Sequence, residues 1–538
     1  MHKVLTIAEL SSHICSYLDP SSLAATAQSC KTLNGPATPA LWTDIPDFTP
    51  LVKLLPKNSW VIKEKKIKLT RVLLPSDWDR VLKHSDIVKT LGHPSASCSR
   101  DCLTLDDDFF TRFCAQKPVM VLLPRLRSVN WCALRLPDRC LSMFTLLLGS
   151  NLRNASISTL GKDAGAKTAV AGAVAVLSQN SPCMRQLHLE VSSRQRHAST
   201  SISSALTDAI PSFQHLVDFH CTSVALTKQA MDVLASLPDL AECALRLPQI
   251  HEWSTGGIQP RPFPNLKRLS IVASAEAYTD FSRAFSCPQV TSFDLDVITV
   301  PKSQTIPELF SGIRRQFHPR ILDSLAVYTS PEIVVTESMV IGMGATVLPG
   351  DFAPLLDFAR ITTFEFSPPW AYRISDGLIL DMAQAWPFLQ DFALANSPFC
   401  IQLEYGATLR SLAAFAVHSP VLEAIAYPFD GIAGRTEGGA IPDDLYGDLA
   451  VNGAIIPSTS IVADLTVQRC PIAEPAQDVA VFLSMLFPEL NSVDVCEATV
   501  HDPRYRDEYR ASWREVSECL DLISGGQKVE QDTQSVSR

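Results

Sequence analysis

From about residue 120 the chain repeats one short rhythm: a leucine-like residue, two residues, an apolar residue, one residue, another apolar residue. It reads Leu126/Val129/Trp131, Met184/Leu187/Leu189, Leu216/Phe219/Cys221, Leu240/Cys243/Leu245, Leu266/Leu269/Ile271 and Val290/Phe293/Leu295. It continues as Leu322/Leu325/Val327, Ile361/Phe364/Phe366, Leu389/Phe392/Leu394, Leu409/Leu412/Ala414, Val462/Leu465/Val467 and Leu490/Val493/Val495. The alternation of the last two positions predicts a strand with one buried face. The unit Leu422/Ile425/Ala426 keeps the rhythm poorly and reads as a loop. A proline often sits two places ahead, at Pro124, Pro182, Pro238, Pro264, Pro288, Pro387 and Pro488. There it ends a helix and forces the chain extended before the strand. Between strands the spacing turns helical, as in Gly172–Gln179, Lys228–Leu237, Thr279–Ser286, Glu308–Phe317, Asp376–Trp386 and Asp478–Phe487.

Strand, loop, helix, proline, strand, at intervals of ~24–40 residues, is the grammar of a leucine-rich-repeat-like solenoid. The expected fold class is therefore α/β, with a horseshoe over residues 121–500. One unit cannot bury its own apolar face, and stacked neighbours do that for it. The rival reading is an irregular α/β domain whose strands happen to follow prolines.

The first fifty residues differ in kind. Thr6-x-x-Glu9 reads as a capping box, and Ile7, Leu10, Ile14, Tyr17 and Leu18 follow on one helical face. Asp19-Pro20 supplies a cap and a first helical residue, and Leu23, Ala27 and Cys30 make a second stripe. Gly35-Pro36 is expected to break the chain before a short segment ending in Leu41-Trp42. Helices this short bury too little surface to be robust alone, so a docking partner would help them.

In Ile7-x-Glu9-Leu10, Ile14-x-x-Tyr17-Leu18-Asp19, Leu23-Ala24, Cys30-Lys31 and Ala40-Leu41-Trp42, this segment resembles the F-box family. That family is the adaptor-binding module of SCF-type cullin–RING ubiquitin ligases. The family usually has proline before the glutamate; Ala8 stands there in this chain, and alanine is also acceptable at a helix start. The resemblance implies a small all-helical module over residues 1–50 that docks on the ligase adaptor and through it on a cullin. It implies adaptor-binding residues at Leu10, Ile14, Leu18, Leu23, Leu41 and Trp42. The body of the chain is similar to the degenerate leucine-rich repeats that often follow F-boxes in fungal proteins. The Asn or Cys that usually closes such a strand is clear only at Cys470.

Residues 51–120 read as a connector. Lys63-Glu64-Lys65-Lys66 there is a solvated face without interleaved aromatics. Residues 430–458, rich in Gly, Pro and Asp, read as a long loop. Residues 501–524 hold a capping helix with Trp513, Val516 and Leu520 on one face. The tail 525–538 is polar and expected to be disordered.

Composition removes several functions. The net charge of −10 offers no global basic field to nucleic acid or to an anionic membrane. No apolar run approaches the ~20 residues of a membrane helix, and the start lacks the apolar core of a secretion signal. Fifteen scattered cysteines then suggest reduced thiols and a cytoplasmic or nuclear location.

Leads to enzymatic chemistry are incomplete. Gly161–Thr168 nearly matches a phosphate-binding loop, but Ala166 replaces the second glycine, where a Cβ obstructs the wrap around phosphate. Gly342-Met-Gly344 lacks the third glycine of a dinucleotide loop, and Cys98…Cys102 lacks a second pair for zinc. Asp106-Asp107-Asp108 reads as a helix start before Phe109-Phe110. His188 and His220 would be neighbours on adjacent strands without a third metal ligand. The chain therefore reads as a non-enzymatic interaction protein without cofactor or metal. On the F-box resemblance it is the substrate-recognition subunit of an SCF-type ubiquitin ligase, with an unknown protein substrate and no nucleic-acid or membrane partner. Strand positions alternating with the apolar ones select Gln186, His188, His220, Arg268, Asp294, Asp296 and Glu365 as substrate-binding residues on the concave face. The alternatives are a repeat scaffold without a ligase role, suggested by Ala8, and a nucleotide hydrolase at residues 161–168.

Overall fold

A computed structural model describes residues 7–92, 103–134, 140–141, 148–159, 164–191, 200–249, 260–330, 337–396, 400–432, 450–451, 454–455, 460–467, 470–472, 475–495 and 507–536. Two compact units divide the chain, Met1–Arg246 and Leu247–Arg538. Both are mixed α/β, and each is built on a parallel sheet whose strands follow one another in chain order.

In the first unit the sheet runs Asp44–Ile45, Thr90–Leu91, Ser128–Asn130, Asn154–Thr159, Gln186–Val191, Asp218–Ala225 and Glu242–Arg246. In the second it runs Arg268–Ala273, Ser292–Val297, Ser324–Tyr328, Thr363–Phe366, Asp391–Leu394, Ala424–Ala426, Asp464–Val467 and Ser492–Val495. A parallel neighbour requires a crossover, and short helices supply many of these connections. Thr200–Ala209 and Lys228–Ser236 do so in the first unit, and Ala275–Ala284 and Thr305–Gln316 in the second.

The repeat has a hydrogen-bond signature of its own. At the start of many strands, two successive N–H groups donate to one carbonyl of the preceding repeat. Arg185 and Gln186 donate to Arg153, and Val217 and Asp218 donate to Arg185. In the second unit Asp323 and Ser324 donate to Thr291, and Thr362 and Thr363 donate to Asp323. The three apolar positions of the rhythm fill the core: Met184, Leu187, Leu189, Leu216, Phe219 and Cys221 are all fully buried. Phe293, Phe317, Phe364, Trp386 and Phe392 extend that packing through the second unit as close ring pairs.

Several expectations change. Leu409/Leu412/Ala414 is not a strand: Leu409–His418 is a helix, capped by the Thr408 hydroxyl on the Arg410 N–H. Its buried Leu409, Leu412, Ala413 and Phe415 follow helical spacing. Conversely Ala424–Ala426, read as a loop, is a strand paired on both sides. The strand Asn154–Thr159 went unread although Leu152, Ala155 and Ile157 repeat the rhythm and are buried. The prolines act differently too. Pro124, Pro182, Pro288, Pro387 and Pro488 sit second in a hydrogen-bonded turn, closed for example by Leu389 N–H on Trp386 C=O at 3.1 Å. That position wants proline's fixed φ and needs no N–H.

The chain end packs as its pattern indicates at three positions: Trp513, Val516 and Leu520 of the helix Asp507–Val536 are fully buried. The indole N–H of Trp513 donates to Cys470 C=O at 2.9 Å. Most of the stretch 430–458, and Cys98 and Cys102, lie outside the described residues. No helix among the described residues is long and apolar enough to cross a membrane.

Candidate docking surfaces

Three helices form the N-terminal module: α1 (Ala8–Cys15), α2 (Pro20–Ser29) and α3 (Lys31–Thr43). Helix α1 starts from Ile7 with no side-chain cap, while Thr6 of the expected capping box lies outside the described residues. Asp19 caps α2 as its sequence indicates, accepting from the N–H groups of Ser21 and Ser22, with Pro20 in the first turn. The Ser21 and Ser22 hydroxyls hold the Asp19 carboxyl well below the usual carboxylate range. Helix α3 runs straight through Gly35-Pro36, where a break was expected. Proline there forfeits a helical hydrogen bond, but packing decides: Ala37 is fully buried against Cys15 and Leu23, with Leu18, Ala27, Ala40 and Leu41 around them.

The orientation of α1 is the informative feature. Ser11 and Cys15 face the module's core, and the apolar stripe faces out. Ile7 is 46% exposed, Leu10 42%, Ile14 43% and Tyr17 77%. Apolar residues at helical spacing normally cover a core, so this stripe is surface that folding leaves uncovered. The six expected adaptor residues therefore separate. Leu10 and Ile14 lie on the open stripe, Leu23 is in the core, and Leu18 and Leu41 pack against that core. Trp42 packs on His84 with tilted rings and centroids 4.5 Å apart, which ties the module to the segment that follows it. Ile7 and Tyr17 belong to the same open face.

The polar sheet face carries the other candidates. In the first unit His188 pairs in register with His220, and Gln186 with Asp218. The two imidazoles lie 5.6 Å apart, and His188 Nε2 is 2.7 Å from Asp218 Oδ2. Asp218 was missed by sequence reasoning, although it occupies the same strand position as Gln186. Its hydrogen bond raises the His188 pKa above the ordinary imidazole value, while burial and the nearby His188 lower that of His220. The His188 contact thus stabilises the fold at low pH and fades as pH rises through the raised value; His220 contributes the opposite sign, favouring the fold until pH falls through its lowered value. Asp218→Asn is expected to lower the His188 titration midpoint seen by NMR. An unshifted midpoint would show that the contact is not made.

In the second unit Arg268 lies exposed at the start of its strand. Asp294 and Glu365 share one register row, separated by Ala326. Burial raises both carboxyl pKa values, and Asp294 raises that of Glu365 further. Tyr328, also missed, is raised by burial and by these acids. Asp296 differs from the rest: it is buried, and its carboxylate accepts from the Ser330 N–H at 2.9 Å and from the Ser330 hydroxyl. The sheet face therefore brings together Gln186, His188 and His220 in one unit, and Asp294 and Glu365 in the other.

The phosphate-loop lookalike has no cradle in its described part. The helix Ala164–Asn180 already contains Gly165, Lys167 and Thr168, so this half of the lookalike is helix instead of a loop that wraps a phosphate. Gly342 lies within the helix Glu337–Met343, and Gly344, at φ +64°, follows its end. That is the left-handed cap glycine favours. Among the described residues no group of three or more His, Cys, Asp or Glu could hold a metal ion.

Among solved structures, the chain is similar to one in the crystal structure of the Rad7 and Elc1 complex in yeast, at 12% identity and TM-score 0.32, over 79% of this chain and 88% of that one. It is also similar to a chain of the TLR13–ssRNA13 complex, at 12% identity and TM-score 0.29, over 77% and 58%. Both likenesses are too distant to assign a fold. No curated protein matches the chain. Residues 8–45 match the F-box-like family, a span that takes in α1 to α3 and ends on the first strand of the sheet, so the chain carries an F-box-like domain at its N-terminal end.

Proposed function

We propose that this chain is a substrate-recognition subunit of an SCF-type cullin–RING ubiquitin ligase. The observation that carries the reading is the open apolar stripe of Leu10, Ile14 and Tyr17 within the segment 8–45 that matches the F-box-like family, with Ile7 just ahead of it. An SCF adaptor covers that stripe and links the chain to a cullin. The repeated strand–helix units are degenerate leucine-rich repeats, and their polar sheet face holds a protein substrate. The chain itself is non-catalytic. Its contribution is proximity, which raises the effective concentration of substrate near the ubiquitin-charged conjugating enzyme.

The substrate half of this reading is tested by crosslinking in native extract. Arg268 is the residue of choice because it is exposed, whereas reversing buried Asp296 would break its bonds to Ser330. Arg268→Glu is expected to reduce substrate crosslinks several-fold while melting temperature and adaptor capture stay unchanged. Crosslinks that fall only on the helices, and are indifferent to Arg268, would contradict it.

A further inference from the structure

Residues 51–70 hold six lysines and one acid, in a chain whose net charge is −10. The strands Trp60–Lys63 and Lys66–Leu69 form an antiparallel hairpin there, and Thr104–Leu105 pairs alongside. Register sorts the side chains. Trp60, Ile62, Ile67 and Leu69 share one face, where Ile67 and Leu69 are buried. Val61, Lys63, Lys66 and Lys68 share the other.

Two features make this hairpin costly to its own fold. Lys63 and Lys66 stand directly opposite each other, and like charges so placed destabilise a ladder. The turn between them puts Glu64 at φ 53° and Lys65 at φ 61°. Both lie in the left-handed region, where such two-residue hairpin turns favour Asn and Gly. Lys68 has a carboxylate, Asp106, at 3.3 Å. Lys63 and Lys66 are exposed and have no carboxylate partner among the described residues. The Thr104 N–H on Lys65 C=O at 3.0 Å helps to hold this strained turn, and strain held by its surroundings clusters at functional segments.

We infer that the Lys63/Lys66/Lys68 face of this hairpin is a second docking surface, and that it receives an acidic segment of another protein. Charge complementarity sets the sign. The side-chain types set the class. Lysines are mobile point charges on flexible stems, which meet the spaced carboxylates of an extended acidic segment without demanding one fixed geometry, and the neighbouring Arg71 is committed to Asp77 through two bonds of 2.6 and 3.0 Å. Among the described residues the hairpin places no aromatic on this face on which a base could stack, since Trp60 lies on the opposite side with Leu69. The inference is independent of the ligase reading.

The test uses the full chain and a fluorescently labelled oligo-glutamate peptide, read by anisotropy at rising ionic strength. The chain is expected to bind it with an affinity that falls as salt rises. Lys63→Glu/Lys66→Glu should weaken binding about ten-fold or more. Glu64→Asn/Lys65→Gly relieves the turn and keeps the three lysines, so it should retain binding and raise the melting temperature. Three results would overturn the inference. One is equal peptide affinity in the parent and the charge-reversed chain. Another is tighter binding of oligo-deoxythymidine of equal charge. The third is self-association of Lys63→Gln/Lys66→Gln with unchanged peptide affinity, which would make the lysines guards of a strand edge.

Discussion

Trp513→Ala is expected to cost the second unit about 3–5 kcal/mol, the usual loss for a buried tryptophan. Trp513 is fully buried, edge-on to Phe429 with centroids 5.8 Å apart, and donates its N–H to Cys470 C=O. The sequence explains the dependence. An array of strand–helix units has an open apolar end, and the helix Asp507–Val536 lays Trp513, Val516 and Leu520 over it. A loss of this size should lower the melting temperature of a unit this large by on the order of 10 °C. Trp513→Phe should fall between, because it keeps apolar area and removes the donor. A melting temperature within a degree or so of the parent for Trp513→Ala would mean that this helix does not seal the unit.

The second large effect concerns α1. Leu10→Asp/Ile14→Asp is expected to reduce adaptor capture at least a hundred-fold while leaving the fold intact. The two effects separate because both residues are more than 40% exposed, and the module's core is made by Cys15, Leu23 and Ala37 instead. Burying a leucine-sized side chain contributes about 1.5–3 kcal/mol. Placing two carboxylates in a dry interface costs several kcal/mol more. Leu23→Ala should behave differently. It opens a cavity in a small core, so both melting temperature and capture should fall. Truncating at residue 45 is a poorer test than these substitutions, because Asp44–Ile45 pairs with Thr90–Leu91 and is part of the first unit's sheet.

The strands were legible because burial on one face imposes period two, and the apolar triplets mark it directly. Where the letters are ambiguous, the same rule failed. Leu409-x-x-Leu412 fits a helix turn as well as a strand entry, and Phe415 three residues on was the signal that favours a helix. The strand at Asn154–Thr159 hid because Ala155 fills a position that leucine-like residues hold elsewhere. At the N-terminus the stripe of Ile7, Leu10, Ile14 and Tyr17 was plain in the sequence. Which way it faces was not, since that depends on Cys15 packing against Leu23 and Ala37 from later helices. The sheet-face candidates came from alternation alone, which places a residue on a face but cannot tell exposed Arg268 from Asp296, buried and bonded to Ser330.

If the open stripe of α1 docks on the adaptor, its removal must abolish a complex that can be measured with purified components. The full chain and the Leu10→Asp/Ile14→Asp chain, matched for melting temperature, would be titrated with purified SCF adaptor by calorimetry. A one-to-one complex is expected for the parent and none measurable for the variant at the same concentrations. Equal affinity of the two chains, or no complex with the parent, would contradict it.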